Sequence, residues 1–122
     1  MLDMKKALTK IMKAPIVVET GTSGNWTYRK WSNGTAECWG LFTLTATLTA
    51  FAGVYRGLAQ EISYPSGLFP KDAPITSVTL GRGNWTGFSS NLNTKFKAYI
   101  FDITAASNYQ TTASVYAIGK WK

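Results

Sequence analysis

Tyr28-Arg29-Lys30-Trp31-Ser32-Asn33-Gly34-Thr35-Ala36-Glu37-Cys38-Trp39 is the stretch from which the fold can be read. Two β-prone runs flank Asn33-Gly34, and Asn-Gly is the pair that most readily takes the positive backbone angles of a tight type I′ hairpin turn. With a two-residue loop the register follows. Ser32 faces Thr35, Trp31 faces Ala36, Lys30 faces Glu37, Arg29 faces Cys38, Tyr28 faces Trp39 and Trp26 faces Leu41. An opposite-charge pair, an aromatic pair and an aromatic-aliphatic pair then lie directly across from one another, which is how cross-strand neighbours stabilise a hairpin.

The second run continues well beyond the hairpin. Ala36, Cys38, Phe42, Leu44, Ala46, Leu48 and Ala50 share one face, while Thr43, Thr45, Thr47 and Thr49 share the other. Strict alternation is the mark of a strand buried on one side only, so the even-numbered face, with the Cys38 thiol, belongs to the core. A run of this length is expected to bend or bulge near Gly40. By the same register Trp26, Tyr28 and Lys30 join Glu37, Trp39 and Leu41 on the odd-numbered face. The hairpin therefore carries an aromatic face, Trp26, Tyr28 and Trp39, opposite the core, and a patch of that size calls for cover by another element or subunit.

Further strands are expected at 53–58, 75–80, 96–103 and 113–119, separated by turn-rich segments at 64–67, 69–74 and 87–93. The fold class is mostly β: seven or eight antiparallel strands in a β-sandwich or jelly-roll-like head. The abundance of Trp, Tyr, Phe and Thr favours the same class. A four-residue echo, Gly24-Asn25-Trp26-Thr27 and Gly83-Asn84-Trp85-Thr86, hints at two related halves.

Ahead of this head lies a short segment of different character. Met4, Leu8 and Ile11 recur at helical spacing with Lys5, Lys6, Lys10 and Lys13 mostly elsewhere around the helix. Ala14-Pro15 ends it, because the residue before proline is pushed out of helical geometry. Such a helix is marginal alone in water, so the stripe must pack on the head or against copies of itself. The chain thus divides into an N-terminal oligomerisation helix, 1–14, and a β head, 15–122. Met4, Leu8 and Ile11 are the candidate oligomerisation residues.

Composition narrows the function. The 122 residues suffice for one core and one domain. No run approaches the roughly 20 apolar residues that span a bilayer, and the charged start has no signal-peptide h-region, so neither membrane insertion nor conventional export is expected. Cys38 alone forms no internal disulfide. The formal charge of +7 invites a nucleic-acid reading, but four of the thirteen basic residues lie in the N-terminal segment and the rest are scattered, which argues against it.

With no histidine in the chain, His-based acid/base catalysis, Ser-His or Cys-His nucleophiles and His-ligated zinc are excluded. Among Asp3, Glu19, Glu37, Glu61, Asp72 and Asp102 no spacing places two carboxylates together for glycoside hydrolysis. The expectation is a non-enzyme without metal or cofactor. The three glycan-acceptor sequences at Asn25, Asn33 and Asn84 are expected to stay unmodified without export.

Sugar recognition needs aromatic rings for the C–H face of a pyranose and planar polar groups for its hydroxyls. Arg82, Asn84 and Trp85 offer these in one region, and Asn108-Tyr109-Gln110 in another. Arg82, Asn84, Trp85 and Tyr109 are the candidate carbohydrate-binding residues, although core or interface is the commoner fate of an aromatic ring.

From Gly21 to Gly40 the sequence resembles the small tail, baseplate and fibre proteins of bacteriophages and prophages of Gram-positive bacteria. In these a "GxWxYRKWxxGxAECWG" stretch follows an N-terminal helix and the chain ends in a "YAIGRWK"-like segment, here Tyr116 to Lys122. The resemblance implies a homotrimeric virion structural protein, associated with other virion proteins, whose β head contacts a host-surface saccharide or caps a fibre. Made in the host cytoplasm, it would reside in the virion. A stand-alone carbohydrate-binding module is the alternative, and a basic nucleic-acid-binding protein the third reading.

Overall fold

The computed structural model describes residues 14–122. The expected N-terminal helix, with Met4, Leu8 and Ile11, lies outside the described residues apart from Ala14. Nine strands make up the head: β1 (Val17–Ser23), β2 (Trp26–Trp31), β3 (Thr35–Phe51), β4 (Val54–Leu58), β5 (Ile62–Ser63), β6 (Ile75–Leu80), β7 (Trp85–Asn91), β8 (Lys95–Asp102) and β9 (Ala106–Lys120). Every pairing is antiparallel. The mostly-β antiparallel class is as the sequence indicates.

The strands form a single sheet curled into a half-barrel, because the 17-residue β3 belongs to both of its halves. Over most of its length β3 pairs with β9 on one edge; on its other edge it meets β2 first and β4 last. The first half runs β1-β2-β3-β9-β6 and the second β3-β4-β8 with β5 and β7 along β8. Between β2 and β4 the edge of β3 has no strand partner among the described residues. There the side chain of Gln60 supplies the missing bonds, its amide donating to the Thr43 carbonyl at 2.6 Å and accepting from the Thr45 N–H at 3.0 Å.

The alternation in β3 puts Ala36, Cys38, Leu44, Ala46 and Leu48 in the core. They meet Ala113, Val115 and Ala117 of β9, Phe96 and Ile100 of β8, and Tyr64, Leu68 and Phe69 from the β5–β6 connection. Burial pushes the Cys38 thiol up to about 12, so it stays neutral and packs as a small apolar group.

The hairpin register differs from expectation by one residue. Lys30 pairs with Ala36, Arg29 with Glu37, Tyr28 with Cys38, Thr27 with Trp39 and Trp26 with Gly40. The loop therefore has three residues, Ser32-Asn33-Gly34. The Gly34 N–H donates to the Trp31 carbonyl at 3.0 Å, and only Gly34 takes a positive φ, +92°. This is a type I turn closed by a glycine bulge, which also wants Asn before Gly. A side-chain bond from the Thr35 N–H to Asn33 Oδ1 at 3.0 Å holds it. The type I′ turn is instead at Ala52-Gly53, between β3 and β4, where both residues have positive φ (+47° and +85°).

A one-residue shift moves every β2 side chain to the opposite face. Trp26 is consequently a core residue, 4% exposed, with Phe42 and Tyr64 rings at 4.6 and 5.8 Å and its indole N–H donating to the Ser63 carbonyl at 2.8 Å. Tyr28 shares that inner face. The expected aromatic face of Trp26, Tyr28 and Trp39 is thus split, with Trp39 alone of the three outside. The expected turn at 87–93 is also mostly strand, since β7 continues to Asn91.

Candidate functional site: a polar groove and two aromatic outer faces

The turn joining β6 to β7 and the start of β9 come together at one end of the half-barrel. The Gly81 N–H donates to the Thr112 carbonyl at 2.8 Å, which fixes the turn against β9. On β9 the pairing with β3 shifts between Ala46 and Leu48, and Asn108 in this bulge has φ +50°. Bulges re-aim side chains, and this one turns the 107–110 stretch toward the β6–β7 turn. The result is a groove of about 770 Å³ whose lining includes Thr43, Arg82, Asn108, Tyr109, Gln110 and Thr111, the last with a buried hydroxyl that has no partner among the described residues.

Two of the four candidate sugar-binding residues, Arg82 and Tyr109, line this groove, and a third, Asn84, is bonded to Tyr109. Asn84 Oδ1 accepts from the Tyr109 hydroxyl at 2.5 Å, and its Nδ2 donates to the Asp102 carboxylate and, at 3.5 Å, to the Phe101 carbonyl. Asp102 also accepts from the backbone N–H groups of Ile103 (2.6 Å) and Thr104 (3.3 Å). The Arg82 guanidinium lies 5.5 Å from the Tyr109 ring centre and donates to the Gln110 carbonyl at 3.4 Å. Asn84 is occupied on both sides and so positions Tyr109, while Arg82, Asn108 and Gln110 supply the polar groups facing the groove. Trp85 stands next to them rather than among them. It is 45% exposed on the outer face and stacks on Phe101 with ring planes 9° apart at 6.0 Å.

Two outer faces complete the surface. On the first half, Glu37 is only 6% exposed although it points away from the core. It pairs with Arg29, accepts from the Tyr116 hydroxyl, and accepts from the Trp31 indole N–H at 3.2 Å. Burial pushes the Glu37 carboxyl upward, but the bonds from Tyr116, Arg29 and Trp31 outweigh it and hold the group below its ordinary value. The bond to Glu37, with some burial, drives the Tyr116 hydroxyl up to about 12. Arg29 lies between the Trp31 and Trp39 rings at 5.3 and 5.2 Å. Around this knot Leu41 (64% exposed) and Ile75 (79%) face outward without cover among the described residues.

On the second half, Arg56 of β4 pairs across with Phe101 of β8, which pairs with Trp85 of β7. The guanidinium lies 3.4 Å from the Phe51 ring centre and 4.3 Å from that of Tyr99. The sequence reading missed this face. The alternation of Lys95, Lys97, Tyr99 and Phe101 along β8 is the signal that could have found it.

No three of the Cys, Asp and Glu residues gather into a metal-binding group among the described residues. Nor, among the same residues, is any helix long and apolar enough to cross a membrane. No protein-family model, curated protein or solved structure matches the chain.

Proposed function

We propose that the chain is a bacteriophage-type virion structural protein, a tail, baseplate or fibre component whose β head attaches to a host-surface saccharide through the groove between the β6–β7 turn and β9. The observation that carries this is that Arg82 and Tyr109, far apart in sequence, line one polar groove, with Asn84 bonded to the Tyr109 hydroxyl. Such a groove suits hydroxyl-rich ligands: a guanidinium and two amides meet hydroxyls in the plane, and a phenol ring offers a stacking surface. The resemblance at 21–40 and 116–122 supplies the virion setting.

Copies of the chain assemble, on this reading, as a homotrimer. Molecules of charge +7 repel, so an interface between copies needs an uncharged face. The first outer face suits that need, because Arg29 and Glu37 neutralise each other there and Leu41, Ile75 and Tyr116 are exposed. A monomeric carbohydrate-binding module is the second reading, favoured by the exposure of that same face, and light scattering separates the two.

The test of attachment is binding of the labelled protein to Gram-positive cell walls and to a glycan array. Asn84→Ala frees the Tyr109 ring and the Asp102 carboxylate together, so binding should fall at least tenfold while stability drops by only about 1–2 kcal/mol. Undiminished binding in this variant, or no binding by the unmodified chain, would refute the assignment.

A further inference from the structure

We propose that Arg56 and the rings around it form a second binding site, on the outer face of β4, β8 and β7, for the acidic group, carboxylate or phosphate, of a saccharide unit. The proposal rests on the saccharide-binding reading above and adds to it the charge class of the ligand.

Arg56 has no carboxylate partner among the described residues, whereas Arg29, Lys30, Lys95 and Lys97 each have one. Its guanidinium carbon instead lies over the Phe51 and Tyr99 rings, 3.4 and 4.3 Å from their centres. A ring over the face of a guanidinium leaves N–H groups at its edge, and that edge matches the two oxygens of a carboxylate or phosphate. Aromatic walls also fix the long side chain in place, so little rotamer freedom remains to be lost when an anion arrives.

The neighbouring rings fit the rest of such a ligand. One strand across from Arg56 lies Phe101, stacked on the half-exposed Trp85, a flat apolar surface for the C–H side of a sugar ring. The strands are about 4.8 Å apart, so Trp85 is roughly 10 Å from Arg56, close to the length of two sugar units. The face is also continuous with the groove, because Asn84 precedes Trp85 and bonds to the Phe101 carbonyl. Asp102, the carboxylate between the two regions, is taken up by Asn84 and two backbone N–H groups. Lys95 and Lys97 share Glu61 further along β8, leaving the face net positive.

Calorimetry on the full chain tests this with four probes: trigalacturonate (carboxylate), a short glycerol-phosphate oligomer (phosphate), neutral galactotriose, and a dT10 oligonucleotide. The expected result is that an acidic probe binds at least tenfold more tightly than galactotriose and that Arg56→Gln removes the difference. Arg56→Lys, which keeps the charge and loses the planar fork, should retain part of it. Which acidic probe binds identifies carboxylate or phosphate as the recognised group. Equal affinity for acidic and neutral sugars, unchanged by Arg56→Gln, would overturn the second site and leave the groove reading intact. No binding of any sugar would remove both. Tighter binding of dT10 than of either acidic sugar, lost in Arg56→Gln, would overturn the saccharide class in favour of single-stranded nucleic acid.

Discussion

Replacing Trp26 by Phe and, separately, Trp39 by Phe tests the hairpin register at the point where it matters most. In the structure Trp26 is almost wholly buried against Phe42 and Tyr64 and bonds to the Ser63 carbonyl, while Trp39 lies on the outer face against Arg29. Phe in place of Trp26 loses that bond, about 1 kcal/mol. It also leaves roughly 40 Å³ unfilled, about another 1 kcal/mol at 24 cal/mol per Å³. The sum, about 2 kcal/mol, should lower the thermal midpoint by roughly 10 °C in a domain of this size. Trp39→Phe gives up part of one cation–π contact, about 0.5 kcal/mol. Urea unfolding followed by far-UV circular dichroism measures both without relying on tryptophan fluorescence. If Trp39→Phe were the costlier change, the loop would have two residues and the face assignment of β2 would be reversed.

The strained Ala52 in the β3–β4 turn should yield to a residue that tolerates positive φ: Ala52→Asn or Ala52→Gly should stabilise the protein by about 0.5–1 kcal/mol, and a loss in both would show that the turn is not type I′. Glu37 has its pKa depressed by folding, so its contribution to stability is present above its ordinary value of 4.5 and disappears as pH falls through the folded value. Glu37→Gln should therefore cost about 1–2 kcal/mol at neutral pH and flatten the acid limb of the stability curve; an unaltered acid limb would exclude the knot as its source.

Legibility followed the strength of the local signal. The alternation from Ala36 to Leu48 reports the inner face of β3 directly, because the period of a strand is two and one side is packed. The register of β2 depended on a single turn, and Asn33-Gly34 serves two turn types that both require glycine in the left-handed region. Nothing in the sequence weighs one against the other; the tertiary packing of Trp26 does. Ala52-Gly53 was silent because alanine is not a usual residue at positive φ. β7 was hidden for a similar reason: Gly87 and Ser90 carry little strand preference and are held by pairing with β8, while Ser89 sits unpaired at a register shift between them. The chemistry of Arg82, Asn84 and Tyr109 could be guessed from residue type, but their meeting depends on the β9 bulge at Asn108, a long-range feature with no sequence mark.

Trp121 closes the strand ends against the hairpin loop, its N–H bonding to the Gly34 carbonyl and its indole to that of Trp31, while Ile16 is tied to Ser32 at the same end. The groove lies toward the other end of the long β3–β9 ladder, along the stretch from Ala106 to Thr112. A head tethered through this first end and held by a ligand at the second would feel any tension along its strands. Antiparallel hydrogen bonds run perpendicular to the strands, so such a load shears many of them at once instead of peeling them singly. The geometry therefore favours a domain that stays folded under pull, with the Ile16–Ser32 tie as the first contact to yield.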